Sequence, residues 1–399
     1  MRKFWILTVL ACVMSTGIFA QICLDDVWMC LKNNQAGKAK KLVDECMIGN
    51  EANAEAWLMK GNVYLQIYQR DVERLKKEPT YISKTPEAAW IANESFYKAL
   101  ELNNKIEPKT GMLGPIDGQI LCAGPLYTIG EKAKKENKLE EAVQYLTVAA
   151  RNLKLDKNNP NMPTDVGYIY YDLAVLSSKL KNAANYKSFL QDAVNIKTPV
   201  PEIYLMMYDL YKAEKDTVNC GKILITAKKV VPVKFQADIK ATELDYYAMS
   251  GEIDKLNETC DKMAEEYATE PTVLNIIAGH LVNNGQYEKA EIIINKGLAI
   301  DSSNFDLTQQ MGYRYFFDAV KYQDLIDIAM KDKEYTKANE LKDTQKVVLE
   351  KAHTWVEKAY NINKNDKQNN IMLQQIKVKL LKPVPEDLKA RVDSYKSQK

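Results

Sequence analysis

Small residues recur along this 399-residue chain at a spacing that few architectures can use. Gly130, Ala142 and Ala149 stand 12 and 7 residues apart, and Ala278, Ala290 and Gly297 repeat those separations. The last column continues through Cys46, Ala99, Ala149, Ala193, Ala227, Met263, Gly297 and Ala359. Ala193 to Ala227 and Met263 to Gly297 are 34 residues apart, and Ala227 to Met263 is 36. Antiparallel helices approach closely only where facing side chains are small. The columns therefore predict stacked helix hairpins, one per period. Length agrees, because 399 residues are too many for one compact core. So does composition: 46% hydrophobic and 27% charged residues suit a folded soluble chain, and 16 Gly with 13 Pro leave little room for turn-rich β structure.

The earliest clear unit carries a further signature. Trp57-x-x-Lys60-Gly61-x-x-Tyr64 and, later, Ala92-x-x-x-Phe96-x-x-Ala99 resemble the two helix halves of the tetratricopeptide repeat. Lys60 stands where that family usually has Leu, and the second half comes 19 residues later than an uninterrupted 34-residue repeat would place it. The resemblance implies an all-α fold, a right-handed α-solenoid of tetratricopeptide-like helix hairpins, with two of the hairpins lengthened. Hairpins are expected at 21-53, 54-105, 123-156, 167-200, 201-234, 237-270, 271-304 and 305-366. In domain terms, 21-105 form the N-terminal hairpins with an insert at 66-91, 106-122 an irregular linker, 123-304 the central array, 305-366 a long terminal hairpin and 367-399 capping helices. Glu107 to Pro125, which holds Gly111, Gly114, Pro115, Gly118 and Gly124, is where turn chemistry concentrates. The arms Gln66 to Ile91 and Asp318 to Val348 are highly charged, as in a solvated extension of a helix pair. A docking prong is the sharper alternative.

Residues 1-20 read as a secretory leader: basic Arg2 and Lys3, an apolar run from Phe4 to Met14, and a small residue, Ala20, before the expected cut at Gln21. A second reading makes Val9-Leu10-Ala11-Cys12 a lipoprotein box, with Cys12 lipidated and the protein an accessory subunit held on a membrane. Export to the periplasm or cell envelope permits disulfides. Cys46 and Cys220 fall in small-residue columns of the repeat, so a core role explains them without chemistry; the sharper alternative is a Cys23 to Cys46 disulfide, because an antiparallel first hairpin brings the start of its first helix, near Cys23, beside the end of its second, near Cys46. Cys122, Cys220 and Cys260 are scattered along the chain.

No constellation for chemistry emerges, so no enzyme, cofactor or metal site is expected. His280 and His353 are the only histidines and read as helical packing or surface residues. No HExxH, GxSxG or GxxxxGK[ST] is present, no CxxC suggests zinc, and adjacent acids such as Glu140 and Glu141 diverge by about 100 degrees on a helix. Removing Arg2 and Lys3 from 55 basic residues leaves 53 against 53 acidic ones, and a net charge of zero does not point to nucleic acid. No stretch after the leader is apolar enough to span a membrane.

Binding a protein or peptide is what the resemblance implies. In that family the first helix of each hairpin lines the concave face of a superhelix. Carried over repeat by repeat, this nominates Tyr127, Glu131, Tyr168, Tyr171, Leu205, Asp209, Asp238, Asp245, Asn275, Gln309, Tyr313 and Phe316. Tyr64, Tyr211 and Tyr315 fall in the column where the family packs a core Tyr and are excluded.

Overall fold

The computed structural model describes residues 23–396. The expected leader, its cut before Gln21 and Cys12 lie outside the described residues. Within them the chain is all-α, with no strand. Helix α1 occupies 23–32 and is followed by α2 (Ala36–Cys46), α3 (Ala54–Lys77), α4 (Ala88–Leu102), α5 (Pro115–Lys135), α6 (Leu139–Leu153), α7 (Met162–Lys179) and α8 (Ala183–Asn195). Then come α9 (Pro201–Ala213), α10 (Thr217–Val230), α11 (Ala237–Ser250), α12 (Ile253–Glu266), α13 (Pro271–Asn283), α14 (Tyr287–Ile300), α15 (Phe305–Lys331), α16 (Tyr335–Ile362), α17 (Lys367–Lys379) and α18 (Glu386–Lys396). Two compact units divide at Ile203/Tyr204, within α9.

Every first helix among the described residues except α3 turns into its second by one device. Asn34, Asn137, Lys181, Lys215, Gly251, Gly285, Lys333 and Leu381 all have positive φ, and each lies just past a first helix. The next residue's N–H closes the turn on a carbonyl five residues back, as in Gln35 to Cys30, Asn182 to Ser177, Asp216 to Tyr211 and Glu334 to Ala329. Six of these eight positions are not glycine, although a side chain there costs roughly 1 kcal/mol or more. Tight hairpin closure outweighs that local cost. Short Asx caps open several helices: Asn53 accepts from the Glu55 and Ala56 amides, Asp216 from Asn219, Asn304 from Leu307 and Asp366 from Asn369.

The α3–α4 pair lacks the tight turn because of its insert. Helix α3 runs on to Lys77, and the loop after it folds back on buried Asp71, which accepts from Tyr81 Oη at 3.0 Å and Ser83 Oγ at 2.5 Å. The other lengthened hairpin is a regular pair of long helices, 27 residues in α15 and 28 in α16, packed along their length through small residues such as Ala319, Ala329 and Ala338.

One expectation is corrected. Residues 115–122, assigned to an irregular linker, form the first two turns of α5. Pro115 suits the first turn of a helix, where its missing N–H costs nothing. Pro125 lies inside the helix and is tolerated there. Gly118 is demanded by packing instead of by a turn: a Cβ on it would lie 2.4 Å from Phe96 Cζ.

Candidate functional site

The packing columns determine which side chains are left over to act. A Cβ on Gly61 would meet the Phe96 ring at 2.7 Å, one on Gly130 would meet Leu146 at 2.8 Å, and one on Gly312 would meet Val356 at 2.5 Å. In each case a first-helix glycine receives the large side chain that sits three residues before the small residue of the second helix: Ala99, Ala149 or Ala359. Gly297, in that last column, instead receives Leu307 from the following hairpin, at 2.4 Å. Contacts of one kind thus close three of the hairpins and join α14 to α15. The chain has the tetratricopeptide-repeat fold.

No protein-family model and no curated protein sequence matches this chain. Among solved structures it is similar to a tetratricopeptide repeat protein from Parabacteroides merdae, at 14% identity over 78% of this chain and 98% of that one, with a TM-score of 0.38. It is also similar to YrrB, described as a TPR protein with an unusual peptide-binding site, at 15% identity over 54% of this chain and 96% of that one (TM-score 0.33). A third is a monomeric IFIT1 mutant with Gppp-AAAA, at 14% identity over 82% of this chain and 70% of that one (TM-score 0.37).

In the first unit, repeat packing leaves a tyrosine and charge cluster on α5 and α7. Tyr127 is 38% exposed and Tyr168 57%, while Tyr171 is half-buried. Lys134 bridges Glu131 at 2.6 Å and Asp172 at 3.0 Å, joining the two first helices. Burial raises the Tyr127 phenol above its ordinary range, and the carboxylates of Glu131 and Asp172 reinforce the shift. The phenol is therefore a neutral hydrogen-bonding group at physiological pH. Asp172 was absent from the nominated set, although it is adjacent in sequence to Tyr171.

In the second unit the nominated residues separate. Asp209 and Asp238 are exposed, and Leu205 is half-buried. Asn275 is half-buried, and its Oδ1 is enclosed without a hydrogen-bond partner. Asp245 accepts from Tyr208 Oη at 2.8 Å and Lys212 Nζ at 2.6 Å. Burial opposes its ionisation, but those two donors outweigh it and hold the carboxyl below its usual range. His280 lies near enough to feel Asp245, yet burial dominates and lowers its pKa. Of this Tyr208, Lys212, Asp245 and His280 cluster the sequence nominates Asp245 alone, because the members span three hairpins. The available signal was that Tyr208, Asp245 and His280 recur about one repeat apart.

Gln309 and Tyr313 are engaged by the capping helix: Gln309 Nε2 donates to Asp366 at 2.9 Å and Tyr313 Oη to Gln368 Oε1 at 3.3 Å. Burial pushes the Tyr313 phenol up to about 12. The half-buried Phe316 ring lies 5.9 Å from that of Phe317. A cavity of about 420 Å³ opens beside them, lined by Tyr313, Phe317, Ile371 and Met372 among others.

Cys23 and Cys46 are joined by a disulfide, with Cα atoms 6.0 Å apart, which ties the start of α1 to the end of α2. Cys30, Cys122, Cys220 and Cys260 are free and buried. Among the described residues no group of three or more His, Cys, Asp or Glu side chains is arranged to hold a metal ion. No helix among them is long and apolar enough to cross a membrane.

Proposed function

We propose that this protein is a non-catalytic scaffold of the bacterial cell envelope that holds a protein or peptide partner on the first-helix faces of its repeats. The observation that carries the reading is the α5–α7 surface, where Tyr127 and Tyr168 stay exposed beside the Glu131, Lys134 and Asp172 ion pairs, so that aromatic rings and paired charges share one first-helix face. Rigid aromatic rings with polar tips are effective interface anchors, since they bury large area at low entropic cost. The flanking charges supply orientation more than affinity. The leader-like residues 1-20 and the Cys23–Cys46 bond support the envelope assignment, because disulfides persist in oxidising compartments.

The test is recovery of a partner from envelope extract with wild-type protein and with a Tyr127→Ala, Tyr168→Ala, Tyr171→Ala variant of unchanged helicity. Loss of a discrete partner is expected, and equal recovery would count against this face. N-terminal analysis of the native protein fixes its form. Gln21 as first residue means a cleaved soluble scaffold, whereas a lipidated Cys12 makes it a membrane-held accessory subunit.

A further inference from the structure

Residues 107–113 lie as a strap across the first helices α1 and α3. Three sets of contacts latch it. Lys109 Nζ sits between Asp25 of α1, at 2.7 Å, and Glu55 of α3, at 2.9 Å. Trp28 Nε1 donates to the Thr110 carbonyl at 3.3 Å. Asn62 takes Leu113 from both sides: its Oδ1 accepts the Leu113 N–H at 2.9 Å and its Nδ2 donates to the Leu113 carbonyl at 3.1 Å. Gly111, at φ +85°, gives the strap its bend, and a Cβ there would meet nothing within 4 Å.

These contacts read a polypeptide by its main chain plus one positive charge. An amide that pairs with both the N–H and the C=O of one residue recognises main chain irrespective of side chain. Two carboxylates from different helices, converging on one ammonium, select Lys at a fixed distance from that residue. Beside the strap a cleft of about 370 Å³ remains open between α1 and α3, lined by Trp28, Lys32, Asn34, Gln66 and Gln69. Burial opposes the charge on Lys109, but the two carboxylates win and raise its pKa, so the latch is charged throughout the physiological range.

We propose that the α1–α3 face is a binding site for a polypeptide turn carrying Lys four residues before a residue held by its backbone, and that residues 107–113, whose Met112 N–H closes a turn on the Lys109 carbonyl at 3.0 Å, fill this site in cis until such a partner segment displaces them. This site is separate from the α5–α7 surface. It shares with the proposed function only the premise that first-helix faces hold polypeptide.

The test needs no knowledge of the natural partner. The strap is unlatched by Lys109→Glu, which Asp25 and Glu55 repel, together with Leu113→Pro, which removes the N–H that Asn62 accepts. A fluorescent synthetic peptide of residues 105–114 is then titrated in trans. Saturable binding to the unlatched protein is expected, at least tenfold tighter than to wild type, whose own strap competes at high effective concentration. Adding Asn62→Ala or Glu55→Gln to the unlatched background should weaken it at least tenfold. If the double variant loses helicity, replacing residues 107–112 by alternating Gly and Ser together with Leu113→Pro empties the same face. A folded unlatched protein that ignores the peptide, binding as tight to wild type, or indifference to Asn62→Ala would each overturn the proposal. Failure here would leave the α5–α7 pull-down unaffected, so the two readings fall separately.

Discussion

Replacing Gly118 by Ala should destabilise the first unit, against what either helix propensity or a turn assignment would suggest. Alanine favours a helix interior over glycine by about 1 kcal/mol. Gly118 stands in the first turns of α5, so propensity alone predicts a gain. Its new methyl would lie 2.4 to 2.6 Å from three atoms of the Phe96 ring, where ordinary carbon contacts begin near 3.5 Å. Phe96 is fully buried, and its other flank is closed by Gly61, whose Cβ position lies 2.7 Å from the same ring. The ring cannot retreat by the ångström required. Overpacking of such a core costs about 1 to 3 kcal/mol, and this geometry belongs at the upper end. Subtracting the propensity gain leaves a net loss of about 2 kcal/mol, or about 4–8 °C in the midpoint of a unit of this size. Thermal melts followed by circular dichroism and by fluorescence of Trp90, which packs edge-on against Tyr145 with centroids 5.3 Å apart, would measure it. In a Phe96→Leu background the same substitution should cost at least 1 kcal/mol less, by a double-mutant cycle. An unchanged or raised midpoint for Gly118→Ala would refute the packing argument and return Gly118 to a turn.

Three further outcomes follow from the same geometry. Lys215→Gly, which relieves a side chain at φ 59°, should stabilise the α9–α10 hairpin by about 0.5–1 kcal/mol, and an unchanged denaturation midpoint would count against the turn argument. Opening the Cys23–Cys46 bond by Cys46→Ser frees a loop spanning 23 positions and should cost the N-terminal hairpin about 3 kcal/mol, read by hydrogen exchange in α1 and α2; unchanged protection would show the bond is dispensable. His280 and His353 both have pKa values lowered from 6.5 by burial, so below pH 6.5 the unfolded chain takes up protons that the folded chain refuses. Stability should therefore fall as pH drops from 7.5 to 5.5, and His280→Gln should flatten that slope; an identical slope would remove His280 from the account.

What could be read from the sequence was what packing writes in small residues. The Gly61, Gly130 and Ala149 columns are visible because no larger side chain fits between crossing helices, and Cys46 and Cys220 occupy the same kind of slot. Hairpin turns were harder to see. Lys181, Lys215, Lys333 and Leu381 adopt the left-handed conformation without the glycine that would announce it. Helix α5 was cut short because Gly and Pro were read as turn chemistry where Phe96 required a glycine. The candidate site was legible by helix face but not by partner. Tyr127 and Tyr168 were reachable from repeat phase, whereas the Lys134 bridge and the Tyr208, Lys212, Asp245 and His280 cluster depend on which helices lie side by side. The strap at 107–113 is marked in the sequence by its turn chemistry, but its docking on α1 and α3 is not, since Asn62 and Leu113 are 51 residues apart.

The central claim is that first-helix faces carry the partner. Site-specific photo-cross-linking in intact cells tests it most directly, with a cross-linking amino acid placed at Tyr127 or Tyr168 and, as controls, at Val218 and Ile225, which are 66% and 53% exposed on the second helix α10. The account predicts one discrete protein adduct from positions 127 and 168 and none from the α10 positions. Adducts of equal yield from both sets, or from α10 alone, would contradict it.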